Sequence, residues 1–182
     1  MAEIIIELGD FVVKTIPKRI HIIGSVASGK TTLAKELSKR LGIPYYELDN
    51  VVWIRHKYGD IRRTDQEREE YLNTIVQSEN WIIEGVHNED WVSNCFKNAD
   101  LIIYLDPNYQ IRTYRIIKRF IKQKLRLEKS NYRPTLEIFF KMFKWNRHFE
   151  EVGRVNFFNK YGLHKDKIAI INNTKNLNNY FN

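Results

Sequence analysis

Eight consecutive residues, Gly24-Ser25-Val26-Ala27-Ser28-Gly29-Lys30-Thr31, satisfy the pattern G-x-x-x-x-G-K-[ST], which narrows the possible folds of this chain more than any other feature. Its flanks have the right character. Arg19-Ile20-His21-Ile22-Ile23 is a short β-rich apolar run, and in Thr31–Leu41 the residues Leu33, Leu37 and Leu41 recur every four, as on one buried helix face, before Gly42 stops the helix. Strand, glycine-bracketed loop and helix together predict a phosphate-binding loop. Glycines let the backbone curl so that successive N–H groups point inward at an anion, and the helix N-terminus adds partial positive charge. The expected nucleotide contacts are Gly24, Ser25, Ala27, Ser28, Gly29, Lys30, Thr31 and Thr32. Lys30 is expected to reach the β- and γ-phosphates, and the Thr31 hydroxyl to hold Mg²⁺. A nucleoside triphosphate is therefore the expected ligand, ATP with Mg²⁺ in the first instance.

Beyond the loop, apolar strands alternate with helical patterns. Ile43–Asp49 reads as a second strand ending in an acid, Thr64-Asp65-Gln66-Glu67 as a capping box opening a helix to about Gln77, Trp81–Gly85 as a third strand, and Asp100–Asp106 as a fourth, closed by Pro107. A helix is predicted from about Tyr109 to Leu127, another from Pro134 to about Glu150, a last core strand over Lys167–Asn172, and a short terminal helix or tail over 173–182. This alternation argues for a parallel sheet covered on both faces, with ligands beyond the carboxyl ends of the strands. Residues 1–17 read as an extra strand or hairpin ahead of the core, and the 182 residues suit a single domain.

Composition excludes several classes. No apolar run approaches the roughly 20 residues of a membrane span, and Glu3, Glu7 and Asp10 interrupt any signal-like N-terminus, so no membrane partner is expected. The single cysteine, Cys95, rules out an internal disulfide and fits a cytoplasmic protein; it is expected to pack as a small hydrophobe. The net charge of +8 is localised. Residues 112–147 carry 12 Lys/Arg against 2 acids, whereas the remainder carries 18 against 20. Such a cluster reads as an anion-binding surface open to phosphate, nucleic acid or acidic lipid. Monomer and homodimer both remain open.

Phosphoryl transfer needs charge neutralisation, in-line placement of an acceptor and, in some enzymes, a base. Arg115 and Arg119, at i and i+4, share a helix face and are candidates to clamp the transferring group, with Arg112 one turn earlier either joining them or lying on a solvated face. Asp49 is a candidate to orient or deprotonate an acceptor hydroxyl, Glu84 to support Mg²⁺ or the substrate, and Asp106 reads as a turn former before Pro107. Trp53, Arg63, Gly85 and, less directly, Arg62 and His56 are candidates for the acceptor side; His21, inside the first core strand, reads as structural. No Cys/His spacing suggests zinc, and no Ser-His-Asp arrangement is evident.

These motifs in this order resemble a known group. The run Ile22–Thr32, then Leu41-Gly42-Ile43-Pro44, Glu47-Leu48-Asp49 and Trp53, Trp81–Gly85, Leu105-Asp106, the arginine-rich helix and Lys144-Trp145-Asn146-Arg147 are similar to the small P-loop proteins known as DNA topology modulation protein FlaR. More widely they resemble the nucleoside-monophosphate-kinase-like group of adenylate and shikimate kinase relatives. That resemblance implies a three-layer P-loop fold with a five-stranded parallel core, ATP with Mg²⁺, and a mobile basic lid over about 112–150. It also implies that Asp49 matches the acid that contacts the phosphoryl acceptor and that Arg115 and Arg119 match lid arginines. The chain departs from the pattern in carrying Glu84 where relatives carry Asp, and in reading Glu84-Gly85-Val86-His87-Asn88 where true monophosphate kinases carry D-G-[FY]-P-R.

Two functions follow. The expected one is an ATP-dependent kinase acting on a small hydroxyl- or phosphate-bearing acceptor. The alternative is a nucleotide-gated regulator that binds nucleic acid through residues 112–147, where Tyr132, Phe139, Phe140, Phe143 and Trp145 interleave with basic residues. The three-, four- and five-residue spacing of those aromatics suits packing against the core better than base stacking.

Overall fold

Strands that are apolar on both faces must be covered on both faces, and the chain meets that demand with helices before and behind one sheet. The computed structural model describes residues 6–8, 11–13, 16–128 and 134–173. A short antiparallel hairpin comes first, β1 (Ile6–Leu8) paired with β2 (Phe11–Val13), as expected of the N-terminal segment. The core then runs β3 (Arg19–Gly24), α1 (Lys30–Leu41), β4 (Tyr45–Glu47), α2 (Leu48–Val52), a small hairpin β5 (Trp53–Ile54) and β6 (Ile61–Arg62), α3 (Asp65–Val76), β7 (Trp81–Gly85), α4 (Ser93–Asn98) and β8 (Leu101–Leu105). The long helices α5 (Tyr109–Lys124) and α6 (Leu136–His148) follow, then a π-helical turn (Phe149–Gly153), α7 (Arg154–Tyr161) and β9 (Ile168–Ile171).

The main sheet has the order β4-β7-β3-β8-β9, and every pairing in it is parallel. With β3 at the centre, the chain crosses to one side for β4 and β7 and to the other for β8 and β9. The carboxyl end of β3 is therefore the switch point at which such sheets open a crevice. This is a three-layer α/β P-loop kinase fold. On one face α1 lays Leu33, Ala34 and Leu37 over Ile20, Ile22, Ile82, Ile103 and Ala169. On the other, α3, α4 and α7 cover Ile23, Ile83, Ile102 and Tyr104 with Leu72, Phe96, Phe157 and Tyr161. Each fully buried side chain of this size contributes about 1.5–3 kcal/mol.

Several boundaries are set by local chemistry. The Thr64 hydroxyl accepts from the Glu67 amide and the Glu67 carboxylate accepts from the Thr64 amide, the capping box that opens α3. Gly42, at φ 68°, ends α1 with its N–H on the Ser38 carbonyl. The second strand is shorter than expected: Asp49 lies in the first turn of α2 and does not end a strand. α5 stops at Lys124, short of Leu127, because Arg126 turns left-handed at φ 58° and the Leu127 and Arg126 amides return to the carbonyls of Lys122 and Gln123. That stop ordinarily uses glycine, so it left no mark in the sequence. Helical structure continues past Glu150 through the π turn to Tyr161, further than predicted. Asp106 is not mainly a turn former: it pairs with Arg154 at 3.0 Å and Arg112 at 3.6 Å, while Asn108 caps α5. The tail predicted beyond residue 173 lies outside the described residues.

His21 and Cys95 are both fully buried. Burial pushes the Cys95 thiol up to about 12, as suits a packed hydrophobe. His21 stacks on Phe96 at 4.1 Å between ring centroids, neither ring nitrogen has a hydrogen-bond partner, and burial pulls its pKa down to about 3. Below the ordinary value of about 6.5 the unfolded chain binds a proton that the folded chain refuses, so stability is full above that pH and falls as pH drops towards 3. The loss is expected to approach roughly 5 kcal/mol in that window. Urea titrations at stepped pH are expected to show this slope in the native chain and a flatter one in His21→Leu.

Candidate active site

The loop between β3 and α1 is shaped by three backbone features. Ala27 and Gly29 both adopt left-handed conformations, at φ 59° and 107°, which curl the chain and leave strain on a non-glycine residue. At Gly24 a Cβ would stand 2.6 Å from the Leu105 carbonyl oxygen and 2.9 Å from Ser28 Oγ, so any other residue would drive β3 and β8 apart. Ser28 Oγ is buried without a hydrogen-bond partner. The Lys30 ammonium donates to the Ser25 carbonyl at 2.9 Å, across the mouth of the loop. A curled backbone, an orphaned hydroxyl and a buried ammonium at a helix N-terminus fit a polyphosphate.

Around the loop, charge is concentrated by burial. The Thr31 hydroxyl donates to Glu84 Oε1. Burial pushes the Glu84 carboxyl above the usual carboxylate range; Lys30 and the Thr31 hydroxyl oppose the rise, and Glu47 and Asp49 add to it. Burial also lowers the Lys30 pKa, against the attraction of Glu84 and Asp49 and with the repulsion of Arg119. Lys30 thus lies within electrostatic reach of Glu84, Asp49 and Arg119, and Glu84 within reach of Thr31, Asp49 and Glu47. Among the described residues no three His, Cys, Asp or Glu side chains converge as a metal cage. A Mg²⁺ ion here would take Thr31 and Glu84 together with phosphate oxygens, a ligand set that suits this ion.

Of the arginines, Arg115 lies on the loop itself, donating to the carbonyls of Ser28 (2.8 Å) and Ala27 (3.3 Å). Arg119 pairs with Glu128 at 3.7 Å. Arg112 is neither a clamp nor solvated: it is buried, ion-paired with Asp106 and Glu150, because its position on α5 faces the π turn. On the acceptor side, Gly85 is a packing residue, since a Cβ there would meet Leu48 side-chain atoms at 2.7–3.0 Å. Its lack of a side chain lets α2 close over the end of β7 and brings Asp49 beside Glu84. Arg63 closes α2, donating to the carbonyls of Asn50 (2.7 Å) and Val51 (3.0 Å) with its guanidinium 4.6 Å from the Tyr71 ring centre. Trp53 and Arg62 face each other on the β5–β6 hairpin, and Thr32 is exposed in the first turn of α1. Asn50 lines a cavity of about 260 Å³ with Tyr45, Tyr46, Glu47, Val51 and Tyr71.

One residue escaped the sequence reading as a site residue. Asn146, in the last turn of α6 and fully buried, accepts from Ser25 Oγ at 3.0 Å, and its amide nitrogen lies 3.5 Å from the Thr113 hydroxyl on α5. The signal was available in one form: an asparagine at the centre of an apolar helix face asks for a partner.

Comparison with known proteins agrees with this geometry. A family described as AAA domain (AAA_18) matches residues 20–133. The chain belongs to this family. The AAA domain match spans the loop, the three strands whose carboxyl ends surround it, and α5. An uncharacterized protein, YqaC from Bacillus subtilis (strain 168), is 31% identical over 102 residues, 56% of this chain and 56% of its own length. The matched stretch thus spans little more than half of that relative. A shikimate kinase from Francisella tularensis subsp. novicida (strain U112) is 24% identical over 132 residues, 66% of this chain and 74% of its own. In three dimensions the AAA domain and its flanks resemble a shikimate kinase from Bacteroides thetaiotaomicron, with TM-score 0.55 and 17% identity over 91% of this chain and 94% of that one. The chain is, at this level, a kinase-like P-loop domain.

Asn146→Leu leaves the Ser25 hydroxyl without its buried acceptor and is expected to cost about 1–3 kcal/mol. Chemical denaturation of Asn146→Leu, Ser25→Ala and the double variant is expected to show coupling between the two sites, with the double variant less damaged than the sum of the singles.

Proposed function

We propose that the protein is an ATP-dependent phosphotransferase that moves the γ-phosphoryl group to a small hydroxyl- or phosphate-bearing acceptor. The observation that carries this reading is the meeting of Thr31, Glu84, Lys30 and Asp49 at the carboxyl ends of adjacent strands, directly under the curled loop. A loop serving only to hold nucleotide would not need a second carboxylate beside the phosphate end.

In this reading the backbone of Gly24–Thr31, with Thr32, holds the triphosphate, and Thr31 and Glu84 would hold Mg²⁺, which would supply charge neutralisation to the phosphate oxygens. Lys30 neutralises the β- and γ-phosphates. Burial matters here, since an ammonium out of water interacts more strongly with the charge that develops on transfer. Asp49 orients the acceptor hydroxyl or takes its proton. Arg115 steadies the loop through its carbonyls in the present arrangement, and Arg119 is the arginine that reaches the transferring group. The cavity beside Asn50, lined also by Tyr45, Tyr46, Glu47, Val51 and Tyr71, gives room for a small acceptor near α2. The likeness to FlaR-type proteins then reflects this shared P-loop machinery, not DNA handling as such. Of the aromatics on which the nucleic-acid alternative rests, Phe139 is occupied by Phe120 at 4.4 Å and Phe143 at 4.9 Å, whereas Phe140 and Trp145 are exposed and do not pack on the core as their spacing suggested.

The test is ADP release from MgATP across nucleosides, nucleoside monophosphates and small hydroxylated metabolites, with Lys30→Ala as the blank. One acceptor is expected to raise the rate well above background. Lys30→Ala and Asp49→Asn are each expected to lower that rate about a hundredfold or more. A flat response across all acceptor classes, with ATP binding intact, would overturn the kinase assignment. Separately, Gly24→Val is expected to abolish nucleotide binding, read by equilibrium titration with a fluorescent ATP analogue.

A further inference from the structure

Helix α5 is apolar on the wrong side. The face turned to the protein buries Arg112, Ile116 and Gln123. The face turned outward carries Ile111, Tyr114, Ile117, Ile121 and Leu125, each between 40 and 63% exposed. At 100° per residue these five fall on one stripe, and from Ile111 to Leu125 it runs about 21 Å. Exposed lysines edge it on both sides, Lys122 on one margin and Lys124 on the other, and Lys118 lies within it, between Ile111 and Leu125 in projection. An apolar stripe of this length on a helix whose inner face is the more polar one is not explained by folding.

The charges decide what can cover it. A second copy of α5 fits badly. The midpoint of the stripe is residue 118, so antiparallel pairing about a two-fold axis would set Lys118 against its own copy. Parallel pairing would do the same for every lysine. α5 contains no Asp or Glu to relieve either arrangement. Duplex nucleic acid would satisfy the lysines but not the four aliphatic side chains, which offer no stacking surface. The occupant must be negative and must also accept branched aliphatic groups of no particular shape. A convex stripe of interchangeable aliphatic side chains, with lysines on both margins and a tyrosine among them, matches a helix lying in a lipid interface. No described helix is long and apolar enough to cross a membrane, so this is association with a surface and not insertion. It departs from the expectation of no membrane partner, which rested on span length and on the interrupted N-terminus, neither of which speaks to surface association.

We propose that the outer face of α5 docks the protein on anionic lipid surfaces, with Ile111, Tyr114, Ile117, Ile121 and Leu125 entering the headgroup boundary and Lys118, Lys122 and Lys124 meeting lipid phosphates. Arg115, on the flank of α5 between the two faces, holds the phosphate-binding loop and is not part of the stripe. The inference does not depend on the phosphotransferase assignment.

The test is co-sedimentation of the full chain with vesicles of phosphatidylglycerol and phosphatidylcholine in equal parts, and with phosphatidylcholine alone, at about physiological salt. Binding is expected only to the anionic vesicles and is expected to weaken at high salt. Ile117→Glu with Ile121→Glu is expected to abolish it, with unchanged thermal unfolding and nucleotide binding, since both side chains are exposed. Neutralising Lys118, Lys122 and Lys124 to Ala is expected to cost about fivefold per lysine. Absence of binding to anionic vesicles, or binding that survives the two glutamates, overturns the proposal. So does a stripe-dependent dimer without lipid, or duplex DNA binding at physiological salt that the two glutamates remove.

Discussion

A buried ammonium is costly unless anions surround it, and Lys30 is buried at the start of α1. The carboxylates that answer it come from separate parts of the chain: Glu84 from the end of β7 and Asp49 from the first turn of α2. Parallel pairing in register, with Ile22 opposite Glu84 and Glu84 opposite Glu47, is what brings them to one level. The folded state thus carries a concentrated electrostatic cluster before any ligand arrives. Glu84 and Lys30 are each driven towards neutrality by burial and held back from it by the other, a balance that an incoming polyphosphate would tilt.

That cluster rests on close backbone approaches as much as on charge. Gly24 lets β3 pass the Leu105 carbonyl, and Gly85 lets Leu48 seat α2 on β7. Behind them a second ionic group, Asp106, Arg112, Glu150 and Arg154, ties the end of β8 to α5, the π turn and α7. Arg112 and Asn146 are both buried polar groups on the helices that follow β8, and their partners fix how those helices sit on the sheet. Partnered in this way such groups add specificity more than net stability, whereas removing one partner leaves a buried charge or dipole exposed to a dry interior.

Much of this could be read beforehand. The phosphate-binding loop, the capping box of α3 and the run of buried strands carry local signals, and the parallel sheet, α1, α3 and the N-terminal hairpin lie where those signals placed them. What could not be read depended on partners distant in sequence. Arg112 looks like Arg115 and Arg119 in a one-dimensional pattern; only the arrival of Glu150, 38 residues later, separates a buried ion pair from a surface cation. The part Arg63 plays in closing α2 could not be read, because its partners there are main-chain carbonyls, which every residue possesses. The end of α5 was obscured because Arg126 takes a conformation usually given to glycine. The β5–β6 hairpin and α4 are too short for periodicity to register.

The π turn at Phe149–Gly153 joins α6 and α7 into one helical rod with a residue to spare. A single extra residue rotates everything after it by about 100°. This rotation allows α6 to present Asn146 to the phosphate-binding loop while α7 presents Phe157 and Tyr161 to Tyr104 and Phe96 in the core. The rod therefore behaves as a phase shifter between two faces that a regular helix could not serve together. Loss of one residue anywhere in that turn would keep the helix and throw one of its two faces out of step with the sheet.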